Sequence, residues 1–396
     1  MNRLAWGNCS ELEDDEFYNR IEEIDFLKSL LESSSNRTSP TIVVPGLRGV
    51  GKTVLLKKIK KELERDFLIV YIDLTLTYSF QIGQLNEVSL MEHLYQSLMK
   101  SCEEKKFKTF KDKLKKTIKT KKIKVGQIMD FEGYPIPIPE SETDIKNLLD
   151  FVLDLPQKIY EEHENEIKGV IIILDEFHAL TDLGKNLKQF FWLFRGKIQS
   201  QRNVSYIFSS SINSNNQIIE TLSGSEGAFG GRVLTLTINP FTKETVKSYL
   251  EEKVPELKFD DKGFERFYSC TKGLPFYINT FANLLPKNTI LDDENVKNEF
   301  RKSISLLANS LKLKWGRLYL SEQKIITTLL YDDMKRMEIG KKLNRQTGSL
   351  STPLNKLINE NLIKLENKKY TISEPILKEW LKAEYKNKGV FPYRLE

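Results

Sequence analysis

One octapeptide, at residues 46–53, restricts the possible folds of this chain more than any other segment. It reads Gly-Leu-Arg-Gly-Val-Gly-Lys-Thr, in which two glycines are separated by four residues and followed by Lys and Thr. An apolar run precedes it at 41–44, and a helical pattern follows it at 54–59. Because phosphate-binding loops join a strand to a helix in this way, the segment predicts a nucleotide-binding α/β fold.

The loop also predicts which groups contact the nucleotide. Its glycines let backbone N–H groups surround a triphosphate at the start of a helix, whereas a purely structural glycine turn is the alternative. Lys52 is expected to reach the β- and γ-phosphates and the Thr53 hydroxyl to hold Mg²⁺, so the predicted cofactors are ATP and Mg²⁺. The predicted nucleotide-binding residues of this segment are Gly46, Leu47, Arg48, Gly49, Val50, Gly51, Lys52, Thr53 and Val54.

Two acidic residues follow a short apolar run at 169–174. The run, Gly-Val-Ile-Ile-Ile-Leu, suits a parallel strand that is buried on both faces. The carboxyl ends of such strands face the ligand crevice of an open α/β sheet. Asp175 is therefore predicted to bind Mg²⁺, directly or through water, and Glu176 to act as general base toward the water that attacks the γ-phosphate. Alternatively, the acidic pair caps the next helix.

Further candidates accompany the other strands. Ser211, the last of three serines, is predicted to sense the γ-phosphate, with a plain serine turn as the alternative. Arg232 is predicted to reach a γ-phosphate of its own or a neighbouring subunit as an arginine finger, or else to be a surface residue. The segment 17–20 lies near an adenine or packs in the core, and His178 is interpreted as a helix-start residue. The predicted catalytic residues are Glu176, Lys52, Arg232 and Ser211.

Apolar segments separated by helical patterns predict the central sheet. They lie at 41–44, 68–74, 169–174, 204–209 and 233–238. The predicted fold is an α/β P-loop NTPase of the ASCE and AAA-like type, with a five-stranded parallel sheet, a helical lid and a C-terminal winged-helix domain. The fourth segment is expected to add a strand beside the one that precedes the phosphate loop. The predicted domains are 1–240, which includes an insertion at 84–167, then a lid at 241–315 and a winged helix at 316–396.

The predicted insertion contains a dense cluster of positive charge. Residues 100–124 hold twelve lysines and three acidic residues, a net charge of +9, whereas the complete chain has a net charge of +6. Such a concentration indicates contact with phosphates or an acidic partner, and a solvated Lys-rich helix is the alternative. The insertion also predicts helices at 90–98 and 143–163, with a hairpin of 125–129 and 134–138 between them.

The composition indicates a reducing compartment. No apolar run approaches the roughly 18 residues of a membrane span, and the first residues lack the apolar region of a secretory signal. The three cysteines, Cys9, Cys102 and Cys270, lack the spacing of a metal or redox motif. These features predict a cytoplasmic protein without a membrane partner.

The C-terminal part predicts a second binding surface. Helices at 322–330, 334–343 and 349–360, followed by a hairpin with its turn at 366–369, have the order of a winged helix. Its third helix would face a DNA groove, and flanking cations would contact phosphates. The groove-facing candidates are Ser349, Thr352, Asn355, Lys356 and Asn359, and the phosphate-contacting candidates are Arg345, Lys364, Lys368 and Lys369.

These motifs together resemble, in order along the chain, those of the archaeal-type ATPases of the STAND group of AAA-related P-loop NTPases. The matching segments are 17–23, 46–53, 173–177, 231–232 and 273–275, and the tail at 370–381 resembles the end of that family's winged helix. The resemblance implies that Pro275 contacts the base from the lid and that Arg232 contacts the γ-phosphate. Replication-initiator AAA+ ATPases share this layout, but their lid carries a sensor arginine that is missing beside Pro275.

Two functional classes follow from this organisation. In the first, ATP drives assembly on duplex DNA through the winged helix and the lysine cluster, and the positive charge favours this class. In the second, the winged helix is an internal clamp, and nucleotide exchange releases it to bind a protein partner. A homo-oligomer is compatible with an arginine finger in either class. A motor or helicase is the third class, and no additional translocating domain is apparent in the sequence.

Overall fold

The computed structural model describes residues 4–6, 11–107, 127–131, 134–211, 227–230, 232–360 and 362–394. Most of the lysine cluster at 100–124 lies outside these ranges, so its predicted partner contacts stay predictions. None of the helices in the described part is both long and apolar enough to span a membrane.

A five-stranded parallel sheet organises the N-terminal part of the chain. In spatial order its strands are 68–73, 170–175, 204–211, 41–46 and 234–235, so the strand at 204–211 lies between the strand of the acidic pair and the strand of the phosphate loop. This confirms the predicted parallel sheet and its additional strand. The strands, in chain order, are β1 Thr41–Gly46, β2 Leu68–Asp73, β3 Gln127–Phe131, β4 Tyr134–Ile138, β5 Val170–Asp175, β6 Val204–Ser211, β7 Leu234–Thr235, β8 Lys258–Phe259, β9 Ile290–Leu291, β10 Ile363–Glu366 and β11 Lys369–Ile372.

The central strands bring three loops to one edge of the sheet. All six residues of β5 are buried, and so are seven of the eight residues of β6, in keeping with apolar strands covered on both faces. The register places Gly46 opposite Ser211 and Asp73 opposite Asp175. The phosphate loop, the acidic pair and the end of β6 therefore meet at the carboxyl edge, where ligands of open α/β sheets bind.

Helices cover both faces of the sheet and continue beyond it. The predicted helices of the insertion are present, and β3 pairs antiparallel with β4, as predicted. The helices are α1 Ile21–Glu32, α2 Lys52–Leu63, α3 Tyr78–Gln81, α4 Glu87–Glu104, α5 Glu142–His163, α6 Leu187–Ser200, α7 Lys243–Lys253, α8 Asp261–Thr271, α9 Pro275–Leu284, α10 Asp293–Leu307, α11 Asn309–Arg317, α12 Leu320–Thr328, α13 Arg336–Leu343, α14 Ser351–Asn359 and α15 Pro375–Lys388.

The C-terminal segment, residues 320–394, contains three helices followed by a hairpin. Helices α12, α13 and α14 precede the antiparallel pair of β10 and β11, which is the order predicted for a winged helix. The segment also packs on α11, since the Trp315 ring lies 6.0 Å from that of Trp380 and its Nε1 donates to the Pro392 carbonyl. The predicted domain limits at 240 and 315 stay predictions.

The lid region, residues 243–307, contains one feature that the helical prediction missed. Short strands β8 and β9 pair in parallel on either side of α8 and α9. Each strand has only two residues, too few for an alternating pattern to be visible in the sequence.

Candidate functional site

The phosphate loop has the backbone that its glycines predict. Gly49 and Gly51 have φ angles of 80° and 99°, in the left-handed region that glycine adopts at little cost. Gly51 is the N-cap of α2, so the first N–H groups of this helix point into the loop. A Cβ atom on Gly49 would lie 2.9 Å from Cβ of Phe276, so the lid helix α9 also requires glycine at this position.

The side chain of Lys52 is folded into the loop. It is only 5% exposed, and its Nζ donates to the carbonyls of Gly46 at 2.9 Å and Leu47 at 3.0 Å. A third bond, of 3.2 Å, reaches Oγ of Ser211 at the end of β6. Burial lowers the pKa of Lys52, although the negative charges of Glu176 and Asp175 oppose this effect. The loop therefore holds a cation where a phosphate group would lie.

Asp175 is the fully buried acceptor of three hydrogen bonds. The Thr53 hydroxyl donates to Oδ2 at 2.7 Å, and the Tyr71 hydroxyl donates to the same oxygen at 2.6 Å. The backbone N–H of Glu176 donates to Oδ1 at 2.9 Å. Burial, and then the charge of Asp175, raise the pKa of Tyr71 far above its usual range, so this hydroxyl stays a neutral donor.

The donor set of this corner fits a Mg²⁺ ion held together with a nucleotide. In the described part of the chain no three His, Cys, Asp or Glu side chains form a metal cluster. Mg²⁺ bound with phosphates needs only one or two protein oxygens, and the Thr53–Asp175 pair supplies them. Thr53 lines the site cavity whereas Asp175 has 0% exposure, so Thr53 would be the nearer ligand and Asp175 would act from behind it.

Glu176 lies beside Ser211 and His178. The Ser211 hydroxyl donates to Glu176 Oε2 at 3.1 Å, and His178 Nδ1 is 3.0 Å from the same oxygen. Burial alone would raise the pKa of Glu176, but His178, Lys52 and Ser211 together outweigh it and lower the pKa to about 2. The carboxylate is thus ionised and hydrogen-bonded, which a proton acceptor requires.

A cavity of about 330 Å³ joins these groups to a set of aromatic side chains. Phe17, Tyr18 and Arg20 of the predicted segment 17–20 line it, and so does Pro275. The Arg20 guanidinium lies 4.8 Å above the Phe241 ring and donates to the Asn239 carbonyl. Phe17, Tyr18, Phe241 and Tyr249 line the same cavity. These rings provide flat apolar contacts of the kind that a nucleobase needs.

Arg232 is the predicted site residue that neither lines the cavity nor bonds a residue that does. Gly46, Leu47 and Asp175 do not line it either, but they accept hydrogen bonds from Lys52 or Thr53, which do. Arg232 is exposed, and it lies just before β7, where its backbone N–H donates to the Phe229 carbonyl. The side chain does not line the cavity within its own chain. Its predicted action on a γ-phosphate, within the chain or in a neighbouring subunit, stays a prediction.

Two polar residues of β2 belong to the site and were missed in the sequence. Tyr71 holds Asp175, and Asp73 lines the cavity. Burial raises the pKa of Asp73, against hydrogen bonds from the hydroxyl and N–H of Thr75. The two-residue period of a β-strand could have identified them, because Tyr71 and Asp73 are two residues apart and therefore share one face of β2.

We expect Tyr71→Phe to weaken Mg²⁺ binding in the nucleotide complex about tenfold, because losing a bond to a metal-ligating carboxylate typically has this effect. Nucleotide affinity without Mg²⁺ should be unchanged. Calorimetric titration of ADP with Mg²⁺ and with EDTA measures both quantities. Tyr206→Phe is the matched control, since Tyr206 is a buried sheet tyrosine whose hydroxyl donates to Gln201 at 2.7 Å. Equal Mg²⁺ affinity in Tyr71→Phe and wild type would contradict a role for Tyr71 in the metal site.

Comparisons with known proteins agree with this geometry. A family described as an ATPase domain predominantly from Archaea matches residues 17–281 of the 396-residue chain. A Walker-type ATPase of Pyrococcus abyssi is similar in structure, with a TM-score of 0.59 and 19% identity over 93% of this chain and 97% of that one. The ORC2 protein of Aeropyrum pernix, in ADPNP–ADP complexes, has a TM-score of 0.52 and 12% identity over 93% and 96% of the two chains. No curated protein matches the sequence.

Proposed function

Because the chain belongs to the family of ATPase domains found predominantly in Archaea, we propose that it couples ATP hydrolysis to contact with duplex DNA through its C-terminal segment. The fold is that of a P-loop NTPase, and the chain is an ATPase. The observation that carries the catalytic part is the convergence of Lys52, Thr53 and Glu176 on one cavity, with Asp175 behind Thr53.

The proposed mechanism assigns one task to each of these side chains. Thr53 and Asp175 would hold Mg²⁺, which supplies charge stabilisation to the β- and γ-phosphates. Lys52 would leave its loop carbonyls to contact the same phosphates. Glu176 accepts the proton of the attacking water, and Ser211, which contacts both Lys52 and Glu176, orients them toward the γ-phosphate.

A group of exposed cations supports the DNA contact. The salt bridges of the C-terminal segment join Lys356 to Glu322, Lys364 to Glu366, Lys382 to Glu379 and Lys388 to Glu384. They leave other cations without a carboxylate within 4.0 Å in the described part of the segment. Five exposed members of this group, next to the predicted third helix and in the hairpin, are here termed the basic surface: Lys341, Lys342, Arg345, Lys368 and Lys369. Surface cations of this kind can contact phosphates without first breaking an ion pair within the protein.

One observation favours the alternative, a nucleotide switch with a protein partner. Lys356, the single cation on the predicted groove-facing helix, donates to Glu322 at 3.0 Å and lies 4.7 Å above the Tyr319 ring. It is therefore engaged within the segment and contributes little to reading a groove. The basic surface would then position DNA only through its phosphates, without base contacts.

The test is ATP turnover with and without duplex DNA at increasing salt. We expect stimulation by DNA that fades with salt, because neutralised phosphates release counterions. Replacing all five cations of the basic surface by Gln should reduce the salt slope of DNA binding by about 0.9 for each lost phosphate contact. The control replaces Lys243, Lys297 and Lys302, which form ion pairs elsewhere, by Gln. Turnover indifferent to DNA would support the switch instead.

A further inference from the structure

A second, larger cavity lies on the other side of the phosphate loop. Its volume is about 760 Å³, within the range of small-molecule sites. The phosphate loop, helices α9 and α11, and the C-terminal segment all contribute to its wall. None of the sequence motifs predicts a ligand here.

Two cations in this wall have no acidic partner. Arg48 of the phosphate loop and Lys314 of α11 both line the cavity. In the described ranges, no carboxylate lies within 4.0 Å of either side chain. The polar contact of Lys314 Nζ is a long one, 3.4 Å to the backbone carbonyl of Glu360. Burial, and then the charge of Arg48, lower the pKa of Lys314, so the two cations repel each other across the cavity.

The two carboxylates of the wall lie more than 4.0 Å from these cations, although their charges oppose the lowering of the pKa of Lys314. Glu374 accepts hydrogen bonds from the Tyr277 hydroxyl and from the Ile376 N–H at 3.3 Å, so two of its acceptor positions are used within the fold. Burial raises the pKa of both Glu374 and Glu360. The titratable groups that line the cavity are thus two unpaired cations, Tyr277, a carboxylate with its own donors and a half-buried carboxylate. Neither Lys314, which is partly buried, nor Arg48, which is exposed, has a direct anionic partner among them.

The rest of the wall is mostly apolar. Phe276 and Leu284 of α9, Leu307 of α10, Leu311 of α11 and Leu362 of the C-terminal segment surround the charged groups. We propose that this cavity is a second ligand site, for a small anion with an apolar ring body. The anionic group would lie between Arg48 and Lys314, and the ring would pack against the leucines and Phe276.

The position of this second site links it to the nucleotide. Both cavities are lined by Arg48, Gly49 and Phe276, and the Phe276 N–H donates to the Gly49 carbonyl at 3.2 Å. A ligand that binds the Arg48 guanidinium in the second cavity would therefore change the interaction of this side chain with a nucleotide in the first cavity. Since linkage between two sites is reciprocal, the anion and the nucleotide should change each other's affinity by the same factor.

The experiment uses anilinonaphthalene sulfonate, a fluorescent anion with an apolar ring body, and the full chain saturated with ADP and Mg²⁺. We expect one saturable site per chain, and weaker binding of neutral phenylnaphthylamine, which lacks the sulfonate. Lys314→Met should raise the Kd for the sulfonate about tenfold, the effect of losing one charge-assisted contact. Lys312→Met on the same helix is the control, because Lys312 bonds Ser305 and does not line the cavity.

A second variant tests the location. Thr280 lines the cavity from α9, and Thr280→Trp should fill it and remove the fluorescence signal. A cooperative thermal transition near that of wild type shows that a variant is folded, which excludes dye bound to loosened protein. Unchanged sulfonate affinity in Lys314→Met would overturn the proposal, as would dye binding that occurs in the nucleotide-free chain and is abolished on saturation with ADP. If Thr280→Trp does not fold, Lys314→Met alone decides.

Discussion

Glu176→Gln is expected to lower ATP turnover about a thousandfold, because general bases typically contribute 10²–10⁴ to the rate. The amide keeps the shape of the side chain and can still accept a bond from Ser211, but it cannot take a proton from water. ATP affinity should stay within about threefold of wild type, since Lys52 and Thr53 are unchanged. The variant should therefore accumulate bound ATP.

Single-turnover kinetics with radiolabelled ATP measure both quantities. Asp182→Asn is the matched control, because Asp182 lies in the same short helical segment, Phe177–Asn186, and does not line the nucleotide cavity. If Glu176→Gln retained turnover within tenfold of wild type, Glu176 would not be the general base. The next candidate would be Asp73, whose carboxylate reaches the same cavity.

The environment of Glu176 also determines how its role depends on pH. Its pKa of about 2 means that the carboxylate is ionised throughout the range in which the protein is assayed. The stabilising contribution of this depressed pKa is present above the ordinary Glu value of about 4.3 and is lost as pH falls toward about 2. A loss of turnover between about pH 7 and pH 5 would therefore report another group.

Lys52→Ala is expected to raise the Kd for ATP about 100-fold, equivalent to about 3 kcal/mol, through loss of charge-assisted bonds to the phosphates. Without nucleotide the effect should be small. The variant loses three hydrogen bonds, to Gly46, Leu47 and Ser211, but it also removes a buried cation whose pKa burial lowers. These contributions oppose each other, so the thermal midpoint should change by less than about 4 °C.

Equilibrium binding of a fluorescent ATP analogue, with thermal unfolding in parallel, checks this prediction. Lys60→Ala is the matched control, because Lys60 lies on the same helix α2 and lines a different groove. A Kd for ATP within threefold of wild type in Lys52→Ala would contradict the assignment of the phosphate loop.

The central sheet and the clustering of the candidate catalytic residues were predictable because they depend on local patterns. Apolar strands followed by Gly, Asp or Ser specify the carboxyl edge, and parallel pairing then brings Lys52, Asp175 and Ser211 together. The order of helices and hairpin in the C-terminal segment was equally local. For these elements, residues close in sequence carry the information that the fold uses.

The residues that the sequence did not reveal depend on contacts between distant segments. Tyr71 becomes a partner of Asp175 only because β2 pairs with β5 in one register. Likewise Lys314 faces Arg48 only when α11 and the C-terminal segment pack beside the phosphate loop. The sequence does not show whether a lysine on a helix is buried, since most such lysines are exposed to solvent. Only the packed arrangement distinguishes this lysine from its neighbours.

If Glu176 is the general base proposed above, its backbone conformation opposes the stability of the fold to catalysis at a single position. Its φ of 52° and ψ of 43° lie in the left-handed region, which costs a residue other than Gly, Asn or Asp roughly 1–2 kcal/mol. The residues that relieve this cost are too short to place a carboxylate where Glu176 does. A library selected for thermal resistance alone should therefore drift toward Gly or Asn here and lose activity.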